Sequence, residues 1–383
     1  MRQTPLVASP TNVSSPPMAL SRRAFLTARK PRSTAAVAPG APRDPFSPAA
    51  STGDPDGYWV HLSRSAMACR FEITIPAELS HRLDAARAAL DGVDALEEQL
   101  SVFRDTSAVS AINRDAHEAP VPIDDDLFAL LRRCADWSTA TDGAFDITAG
   151  PLSRTWGFLR REGRIPTEAE IEAALAITGM GHVHLEESRD ESGGAATALQ
   201  TVRFDRPGVS LNLGAVGKGH ALDVVAGGLA RGGVETALLS AGSSSFLALG
   251  NGPTGDGFRV GVRDPFDHKR RYGTLTLAGC ALGVSGAGEQ FFEVGGRRYG
   301  HILDPRRGWP VEGRALAVVV ARTAAEADAL ATAFFVAGAD LAQRYIARHP
   351  DVSALVIDAP SRQGAPQITA LGRLPNWRLN RAV

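Results

Sequence analysis

The chain has 383 residues, of which 44% are hydrophobic and 22% charged, and its formal net charge is −1. This composition is that of a globular protein with a sizeable core. The balanced charge excludes a global basic field for nucleic acid and an acidic solvating tail. Cys69, Cys134 and Cys280 are widely scattered. They indicate neither a zinc site nor a disulfide framework, although the spacing is compatible with a single disulfide bond.

Residues 1–56 form a leader that differs in composition from the rest of the chain. It is rich in proline and arginine, with no acidic residue before Asp44, so we expect it to be disordered. It contains a stretch that resembles the twin-arginine export signal, Ser21-Arg22-Arg23-Ala24-Phe25-Leu26. Export to the periplasm or cell envelope is one interpretation. The other interpretation is a basic leader of a cytoplasmic protein, or an upstream translation start that is not the real one.

Residues 57–383 are expected to form one domain, in which no window reaches the roughly 18 apolar residues of a membrane span. Hydrophobic periodicity and capping residues predict its elements. In chain order, its first part is predicted to contain two strands with a turn between them and three helices: Tyr58 to Leu62, a turn around Ser65, Arg70 to Ile75, Arg82 to Leu100, Asp124 to Thr139, and a helix that begins at the capping box Thr167-x-x-Glu170.

The later part of this domain is predicted to alternate less regularly between strands and helices. Its elements are a strand from Val209 to Leu213, a glycine-rich turn from Gly214 to Gly219, a helix from Ala221 to Ala230, a strand from Thr236 to Leu239, short strands to about Val320, a helix from the capping box Thr323-x-x-Glu326, a helix near Leu341 to Arg348, and a strand from Ser353 to Ile357. Grouped strands between helices favour an α+β fold of mixed sheets packed with helices over a doubly wound sheet.

Three glycines and Lys218 lie where the predicted strand turns into a helix, between Gly214 and Gly219. Such a turn can bind an anion, because backbone N–H groups converge at a helix N-terminus and the lysine adds a positive charge. The spacing matches neither a dinucleotide-binding nor a P-loop motif. A tight turn with a surface lysine is the alternative.

Asp328 and Thr332 are four residues apart on the helix from Thr323, so they share one face of it. The neighbouring Ala331 and Phe335 make this face partly apolar, and Mg²⁺ prefers oxygen ligands of this kind. The alternative is an acidic residue near a helix N-terminus that needs no metal.

His301 precedes the Asp304-Pro305 turn, at a predicted strand end where a general base could reach a substrate. A structural histidine beside an ordinary turn is the alternative.

These features and several further motifs follow one another along the chain in the order that is typical of the ApbE family of FAD:protein FMN transferases. The chain therefore resembles this family. The resemblance runs from about Met67 to Gly338. The blocks that carry it are Leu100-Ser101-Val102-Phe103 with Ser107 and Asn113, Asp142-Gly143-Ala144-Phe145-Asp146-Ile147-Thr148-Ala149-Gly150-Pro151-Leu152 with Trp156-Gly157-Phe158, Gly214 to Gly219 with Asp223, Ser285-Gly286, His301-Ile302-Leu303-Asp304-Pro305 with Gly308, and Ala327-Asp328-Ala329-Leu330-Ala331-Thr332-Ala333.

The resemblance implies a flavin pocket, a Mg²⁺ site and a base. The residues that would line the FAD pocket are Met67, Phe103, Ala144, Phe145, Asp146, Asn212, Lys218 and Ile302. The Ala215 carbonyl, Asp328 and Thr332 would hold Mg²⁺. His301 would deprotonate the acceptor hydroxyl. Met67 and Phe103 as core residues, and Asp146 as a turn brace, are the alternatives.

The chain departs from the family pattern at several positions. It has Met67-Ala68-Cys69 where Met-Gly-Thr is usual, and Ser243-Ser244-Ser245 where Gly-Gly-Asp or a variant is common. Asn212 and Phe103 stand where aspartate and tyrosine are common. The serine segment bears most on pocket shape and substrate preference, because a carboxylate and two flexible positions are lost while hydroxyl donors are gained.

The resemblance therefore predicts a Mg²⁺-dependent transferase that moves FMN from FAD to a threonine or serine of an acceptor protein and releases AMP. An FAD pyrophosphatase that uses the same metal is an alternative. A catalytically silent flavin-binding protein is another, and a lysine-turn and helix scaffold without flavin is a third.

Overall fold

The computed structural model describes residues 58–189, 198–252, 254–267, 269–360 and 365–380. The predicted leader, residues 1–56, lies outside these ranges. The helices are α1 (Leu83–Leu100), α2 (Ala108–Asp115), α3 (Asp125–Ala140), α4 (Gly150–Thr155), α5 (Glu168–Leu175), α6 (Gly217–Arg231), α7 (Ala324–Ala337) and α8 (Ala339–Ile346). The strands are β1 (Trp59–Ala66), β2 (Cys69–Pro76), β3 (Val121–Ile123), β4 (Val183–Arg189), β5 (Ala198–Phe204), β6 (Ala237–Ala241), β7 (Ser245–Leu249), β8 (Phe258–Arg263), β9 (Arg271–Leu277), β10 (Ala281–Gly286), β11 (Phe291–Val294), β12 (Arg297–Gly300), β13 (Leu303–Asp304), β14 (Trp309–Pro310), β15 (Arg314–Ala321), β16 (Ser353–Asp358), β17 (Gln367–Leu371) and β18 (Arg378–Leu379).

An eight-stranded antiparallel sheet, in the order β1-β2-β6-β7-β10-β15-β16-β17, is the largest sheet of the described chain. β15 lies between β10 and β16, and its Val318 pairs with Val284 on one side and Leu355 on the other. Side chains alternate along a strand, so a strand whose residues are nearly all buried needs cover on both faces. β15 is buried from Ala315 to Ala321, which predicts a core on each side of the sheet.

Helices cover one face of this sheet, and a small sheet covers the other. Ala317 and Val319 belong to the core formed with α1, α6 and α7, whereas Val318 and Val320 belong to the core formed with β8 and β9. The antiparallel sheet β18-β9-β8 supplies that second cover. The fold is therefore α+β, as the sequence predicts.

The central helix α7 is held very close to the sheet. A Cβ atom on Gly283 of β10 would lie 2.4 Å from the carbonyl oxygen of Ala327, so only glycine allows this approach. Asp223 of α6 tethers the start of α7, since its carboxylate accepts hydrogen bonds from the N–H groups of Ala324 (2.7 Å) and Ala325 (3.0 Å). These contacts fix the position of the α7 face that carries Asp328.

A separate cluster around Trp156 holds the loop that contains His301. Trp156 is fully buried, and its indole N–H donates to the Gly308 carbonyl at 2.8 Å. Leu152, Tyr299 and Leu303 pack in the same cluster. The cluster joins α4 to β12 and β13, on either side of His301.

Several predicted elements are confirmed. α1 and α3 match the predicted helices within about one residue, and Asp124 caps α3 through the Leu127 N–H at 2.8 Å. Both halves of the capping box at Thr167 are present. Thr323 caps α7, because its hydroxyl accepts from the Glu326 N–H at 3.3 Å.

The predicted strand from Val209 to Leu213 is wrong. Its alternating residues are buried, but its backbone hydrogen bonds go outside any sheet. The Asn113 side chain bonds both the N–H (2.6 Å) and the carbonyl (2.9 Å) of Leu211, and the Asn212 N–H donates to Ile147. A side chain distant in sequence thus replaces a strand partner, which periodicity cannot predict.

Two boundaries also differ from prediction. The turn between β1 and β2 lies at Met67-Ala68 rather than around Ser65, because β1 continues to Ala66, which pairs with Cys69. The helix predicted to start at Ala221 begins at Gly217. Lys218 is therefore in the first helical turn and not in a loop before it.

All three cysteines are free. Within the described ranges, the helices are too short or too polar to cross a bilayer.

Candidate active site

A cavity of about 350 Å³, here called the central cavity, lies where α6, α7, β10 and the loop around His301 meet. Most of the residues suggested by the resemblance line it. The lining residues are Ala144, Phe145, Asp146, Ala149, Ser153, Asn212, Gly214, Ala215, Lys218, Ser244, Val284, Ser285, Gly286, Glu289, His301, Ile302, Leu303, Pro305, Asp328 and Thr332. Chain segments far apart in sequence thus converge on one site.

Asp328 is a buried acid at one wall of the central cavity. Its carboxylate accepts the Gly219 N–H at 2.8 Å, and the Ser245 hydroxyl lies 2.8 Å from each of its oxygens. Burial raises the pKa of Asp328 to about 7, against the opposing effects of Lys218 and these hydrogen bonds. The protein's own donors thus offset only part of the desolvation of this carboxylate.

The approach of Gly219 to α7 depends on its lack of a side chain. A Cβ there would lie 2.2 Å from the Ala324 carbonyl oxygen, so a larger residue would push α6 away from α7. The glycine in this motif therefore serves helix packing and the Asp328 hydrogen bond.

Thr332 follows Asp328 by one helical turn. Its hydroxyl donates to the Asp328 carbonyl at 3.2 Å and lies 3.2 Å from the Ser285 hydroxyl. Asp328, Thr332 and Ala215 all line the central cavity. Their carboxylate, hydroxyl and carbonyl oxygens are the donor types that Mg²⁺ prefers, so this donor set fits the predicted metal.

In the described ranges, no group of three or more His, Cys, Asp and Glu side chains is arranged to hold a metal ion. The donor set at Asp328 combines one carboxylate with neutral oxygens. Magnesium typically binds through one or two carboxylates and completes its coordination with water and substrate phosphates.

Lys218 donates a hydrogen bond to the Ser244 hydroxyl, and both residues line the central cavity. The lysine lies in the first turn of α6, where the helix dipole adds to its positive charge. Ser244 and Ser245 therefore contact the two charged residues of this wall, Lys218 and Asp328. The sequence marks these serines as a departure from the family motif that adds hydroxyl donors, but it does not reveal their contacts with Lys218 and Asp328.

His301 is oriented by a backbone carbonyl. Its Nδ1 lies 3.1 Å from the Gln290 oxygen. Because a carbonyl only accepts, Nδ1 carries the proton and Nε2 keeps its lone pair. Burial lowers the pKa of His301, and the Gln290 bond and Glu289 oppose this effect. The imidazole is thus neutral at neutral pH and able to accept a proton.

The carboxylate of Asp146 is bound by its own loop and by the segment at Met180. It accepts from the Thr148 N–H (2.8 Å), the Thr148 hydroxyl (2.6 Å) and the Met180 N–H (3.1 Å). Burial raises its pKa, and the Thr148 bonds oppose this. The side chain braces the loop that presents Ala144 and Phe145 to the central cavity. A direct contact with flavin stays a prediction.

Met67 and Phe103 do not line the central cavity. Met67 lies in the β1–β2 turn, where its N–H donates to Glu97 at 3.0 Å. Phe103 is 74% exposed. Their role as flavin contacts remains a prediction. Glu289 lines the cavity near His301 and was not among the predicted site residues; it follows the Ser285-Gly286 motif closely enough that the motif could have indicated it.

This chain resembles known proteins over most of its length. The sequence profile of the ApbE family matches residues 67–356. A FAD:protein FMN transferase of Salmonella typhimurium is 32% identical over 276 residues, covering 70% of this chain and 76% of that protein. A FAD:protein FMN transferase of Treponema pallidum is 33% identical over 283 residues, covering 70% and 77%.

Solved structures agree with this result. The ApbE protein of Thermotoga maritima superposes with a TM-score of 0.70 at 28% identity, covering 81% of this chain and 96% of that one. The flavin transferase ApbE of Vibrio cholerae gives 0.68 at 26% identity, with coverage of 82% and 97%. The chain belongs to the ApbE family.

Proposed function

We propose that this protein is a Mg²⁺-dependent FAD:protein FMN transferase, which moves FMN from FAD to a threonine or serine hydroxyl of an acceptor protein. Membership of the ApbE family and the names of its curated relatives support this function. The observation that carries it is the convergence of Lys218, His301 and the Asp328–Thr332 pair on one cavity. A charged diphosphate and a hydroxyl nucleophile need these groups together.

In the reaction, the acceptor oxygen forms a bond to the phosphorus of the FMN phosphate. The bond from that phosphorus to the bridging oxygen breaks, and AMP leaves with that oxygen. His301 takes the hydroxyl proton at Nε2, which is free to accept because Nδ1 donates to Gln290.

Lys218 binds the diphosphate through its charge, in the first turn of α6. Its bond to Ser244 points the ammonium group toward the cavity wall and limits its rotation. Phe145 and Ile302 line the central cavity and would supply apolar surface for the flavin, as the family resemblance implies.

Mg²⁺ would be held by the Ala215 carbonyl, Asp328 and Thr332, and it would offset negative charge on the diphosphate as AMP leaves. Gly219 and Ser245 hold the Asp328 carboxylate in place. Thr332 is held in turn by Ser285.

The test is to incubate the purified protein with FAD, Mg²⁺ and a candidate acceptor domain, and to measure acceptor mass and AMP together. A flavin-sized mass gain with equimolar AMP, abolished by EDTA, supports the proposal. AMP and free FMN without a mass gain on an acceptor that other family members modify would indicate a pyrophosphatase. FAD binding with neither product would indicate a silent flavin-binding protein.

We also propose that the arginine pair Arg22-Arg23 directs export of the folded protein, on the basis of the sequence motif alone. Cell fractionation with Arg22→Lys and Arg23→Lys together tests this. Retention of the variant in the cytoplasm with an exported wild type is expected. Equal distribution of the two would refute export by this route.

A further inference from the structure

Helices α6 and α7 exchange hydrogen bonds in a reciprocal pattern where they meet. The Gly219 N–H, in the first turn of α6, donates to the Asp328 carboxylate of α7 at 2.8 Å. The Ala324 and Ala325 N–H groups, in the first turn of α7, donate to the Asp223 carboxylate of α6 at 2.7 Å and 3.0 Å. In each helix the carboxylate lies about one helical turn after the first of these N–H donors. Each helix thus satisfies free N–H groups at the start of the other.

The separation of the two helices is limited in both directions at this point. A Cβ atom on Gly219 would lie 2.2 Å from the Ala324 carbonyl oxygen, so α7 is already in backbone contact with α6. Ala324 and Ala325 are fully buried, and N–H groups in the first turn of a helix have no partner within that helix. Removal of the Asp223 carboxylate therefore favours a wider separation, in which water can reach these N–H groups.

The proposed Mg²⁺ donors are divided between the two helices that Asp223 joins. The Ala215 carbonyl lies just before α6, whereas Asp328 and Thr332 belong to α7. Mg²⁺ requires near-octahedral geometry with oxygen ligands at about 2.0–2.1 Å. The relative position of α6 and α7 therefore determines whether these donors can reach one ion.

The start of α7 has a second, local cap. The Thr323 hydroxyl accepts the Glu326 N–H at 3.3 Å, so the helix does not need Asp223 in order to begin there. Asp223 does not line the central cavity and is not a candidate metal ligand. What distinguishes it from Thr323 is its place on α6, from which it fixes α7 relative to the other half of the metal site.

We propose that Asp223 is a positioning residue for the Mg²⁺ site, because it holds the start of α7 against α6 and thereby brings the metal donors of the two helices to one ion. This inference rests on the proposed transferase function and its metal. Loss of the Asp223 carboxylate weakens Mg²⁺ binding, while FAD still binds and a high Mg²⁺ concentration restores transfer. A residue needed only for folding would not show this dependence on Mg²⁺.

Three variants separate position from stability and from charge. Asp223→Ala removes both hydrogen bonds to α7. Asp223→Asn removes the negative charge, which lies near Asp328, but keeps a carbonyl oxygen that can accept an N–H, as asparagine does at helix N-termini. Thr323→Ala is the matched control, since it removes the local cap of the same helix and leaves the Asp223 bonds in place.

Mg²⁺ binding is measured by isothermal titration calorimetry on the full-length protein saturated with FAD, without acceptor. Flavin fluorescence measures FAD affinity in EDTA, and thermal unfolding in EDTA measures stability. Asp223→Ala should bind Mg²⁺ roughly tenfold more weakly than wild type, the lower end of the range for residues that orient metal ligands. Asp223→Asn should lie between the two, with FAD affinity in EDTA nearly unchanged in both variants. Thr323→Ala should unfold at a lower temperature and bind Mg²⁺ like wild type.

Transfer to an acceptor domain gives a second readout. In Asp223→Ala, the Mg²⁺ concentration that gives half the maximal rate should rise roughly tenfold, whereas kcat at saturating Mg²⁺ should stay close to that of wild type. A low kcat that saturating Mg²⁺ does not restore would overturn the proposal, because it would show a general effect on the fold.

The binding measurements can also overturn the proposal. Unchanged Mg²⁺ affinity in a folded Asp223→Ala protein, equal weakening in Asp223→Asn and Asp223→Ala, or equal weakening in Thr323→Ala would each do so. If Asp223→Ala does not fold, Asp223→Asn should still bind Mg²⁺ more weakly than Thr323→Ala, and equal affinities of these two would refute the role. Wild type that binds Mg²⁺ and FAD but transfers no flavin would contradict the transferase function alone.

Discussion

The Ser245 hydroxyl lies 2.8 Å from both carboxylate oxygens of Asp328, and both residues are buried. Its single proton is therefore shared between the two oxygens. Ser245 belongs to the segment in which this chain departs from the family's usual glycines and aspartate. The departure places a neutral donor, rather than a second acid, against the acid proposed to bind the metal.

Ser245→Ala should destabilise the protein, because Asp328 would lose its hydroxyl donor in a buried site. The expected decrease in the free energy of unfolding is about 1–3 kcal/mol. Urea denaturation in EDTA measures it. Ser243→Ala is the control, since its 3.4 Å bond goes to the exposed Glu289, and it should change stability by less than about 0.5 kcal/mol. Equal effects of the two substitutions would contradict this account of Ser245.

Asp328 should make metal-free stability depend on pH. Its folded pKa, about 7, is above the unfolded value, so the native state binds more protons than the unfolded state between about pH 4 and 7. The Asp328 contribution to stability is therefore favourable at low pH and is lost as pH rises through 7. The lowered pKa of His301 acts in the opposite direction, so wild type is compared with Asp328→Asn.

The measurement is the midpoint of thermal unfolding from pH 5 to 8 in EDTA. Relative to Asp328→Asn, wild type should lose stability as the pH rises. Added Mg²⁺ should restore wild type at pH 8 and leave the variant unchanged. A difference between the two proteins that is constant with pH would show that Asp328 does not titrate in this window.

His301→Gln should lower kcat by roughly 10²–10⁴-fold, the usual contribution of a general base, and leave FAD affinity nearly unchanged. In wild type, kcat/KM should rise with pH through a pKa below about 6.5 and then level off, since the base must be neutral and its pKa is lowered in the free protein. Steady-state rates of AMP release over a range of acceptor concentrations measure both kcat and kcat/KM. A variant with normal kcat would exclude His301 as the base.

Ala68→Gly should stabilise the β1–β2 turn. Ala68 has a φ of 58°, and a residue with a Cβ atom is disfavoured there by about 1–2 kcal/mol. Part of this is offset by the extra freedom of glycine in the unfolded chain, so we expect a net gain of about 0.5–1 kcal/mol. Ala88→Gly, at an exposed position of α1, should have the opposite sign. Chemical denaturation of both variants checks the prediction, which a destabilised Ala68→Gly would contradict.

The sequence predicted two helix starts from the capping residues Thr167 and Thr323, and it predicted α1 and α3 from hydrophobic periodicity. Local hydrogen bonds determine such starts. The segment from Val209 to Leu213 was mistaken for a strand because its partner is the distant Asn113 side chain.

In the candidate site too, local motifs could be predicted from the sequence, whereas contacts between distant segments could not. Motif order indicated most residues that line the central cavity, including Asp328 and His301. The tautomer of His301 depends on Gln290, and the role of Ser245 depends on β7 lying against α7. Neither contact is local, so the sequence alone could not give them.

Asp328 is the residue on which the proposed FMN transfer in the central cavity depends most. The most direct measurement is the initial rate of flavin attachment to an acceptor domain by Asp328→Asn, compared with Asp340→Asn at an exposed position of α8. We expect Asp328→Asn to lose at least about 10²-fold in rate while its unfolding in EDTA stays cooperative, and we expect a normal rate for Asp340→Asn. A normal rate of transfer by a folded Asp328→Asn protein would contradict it.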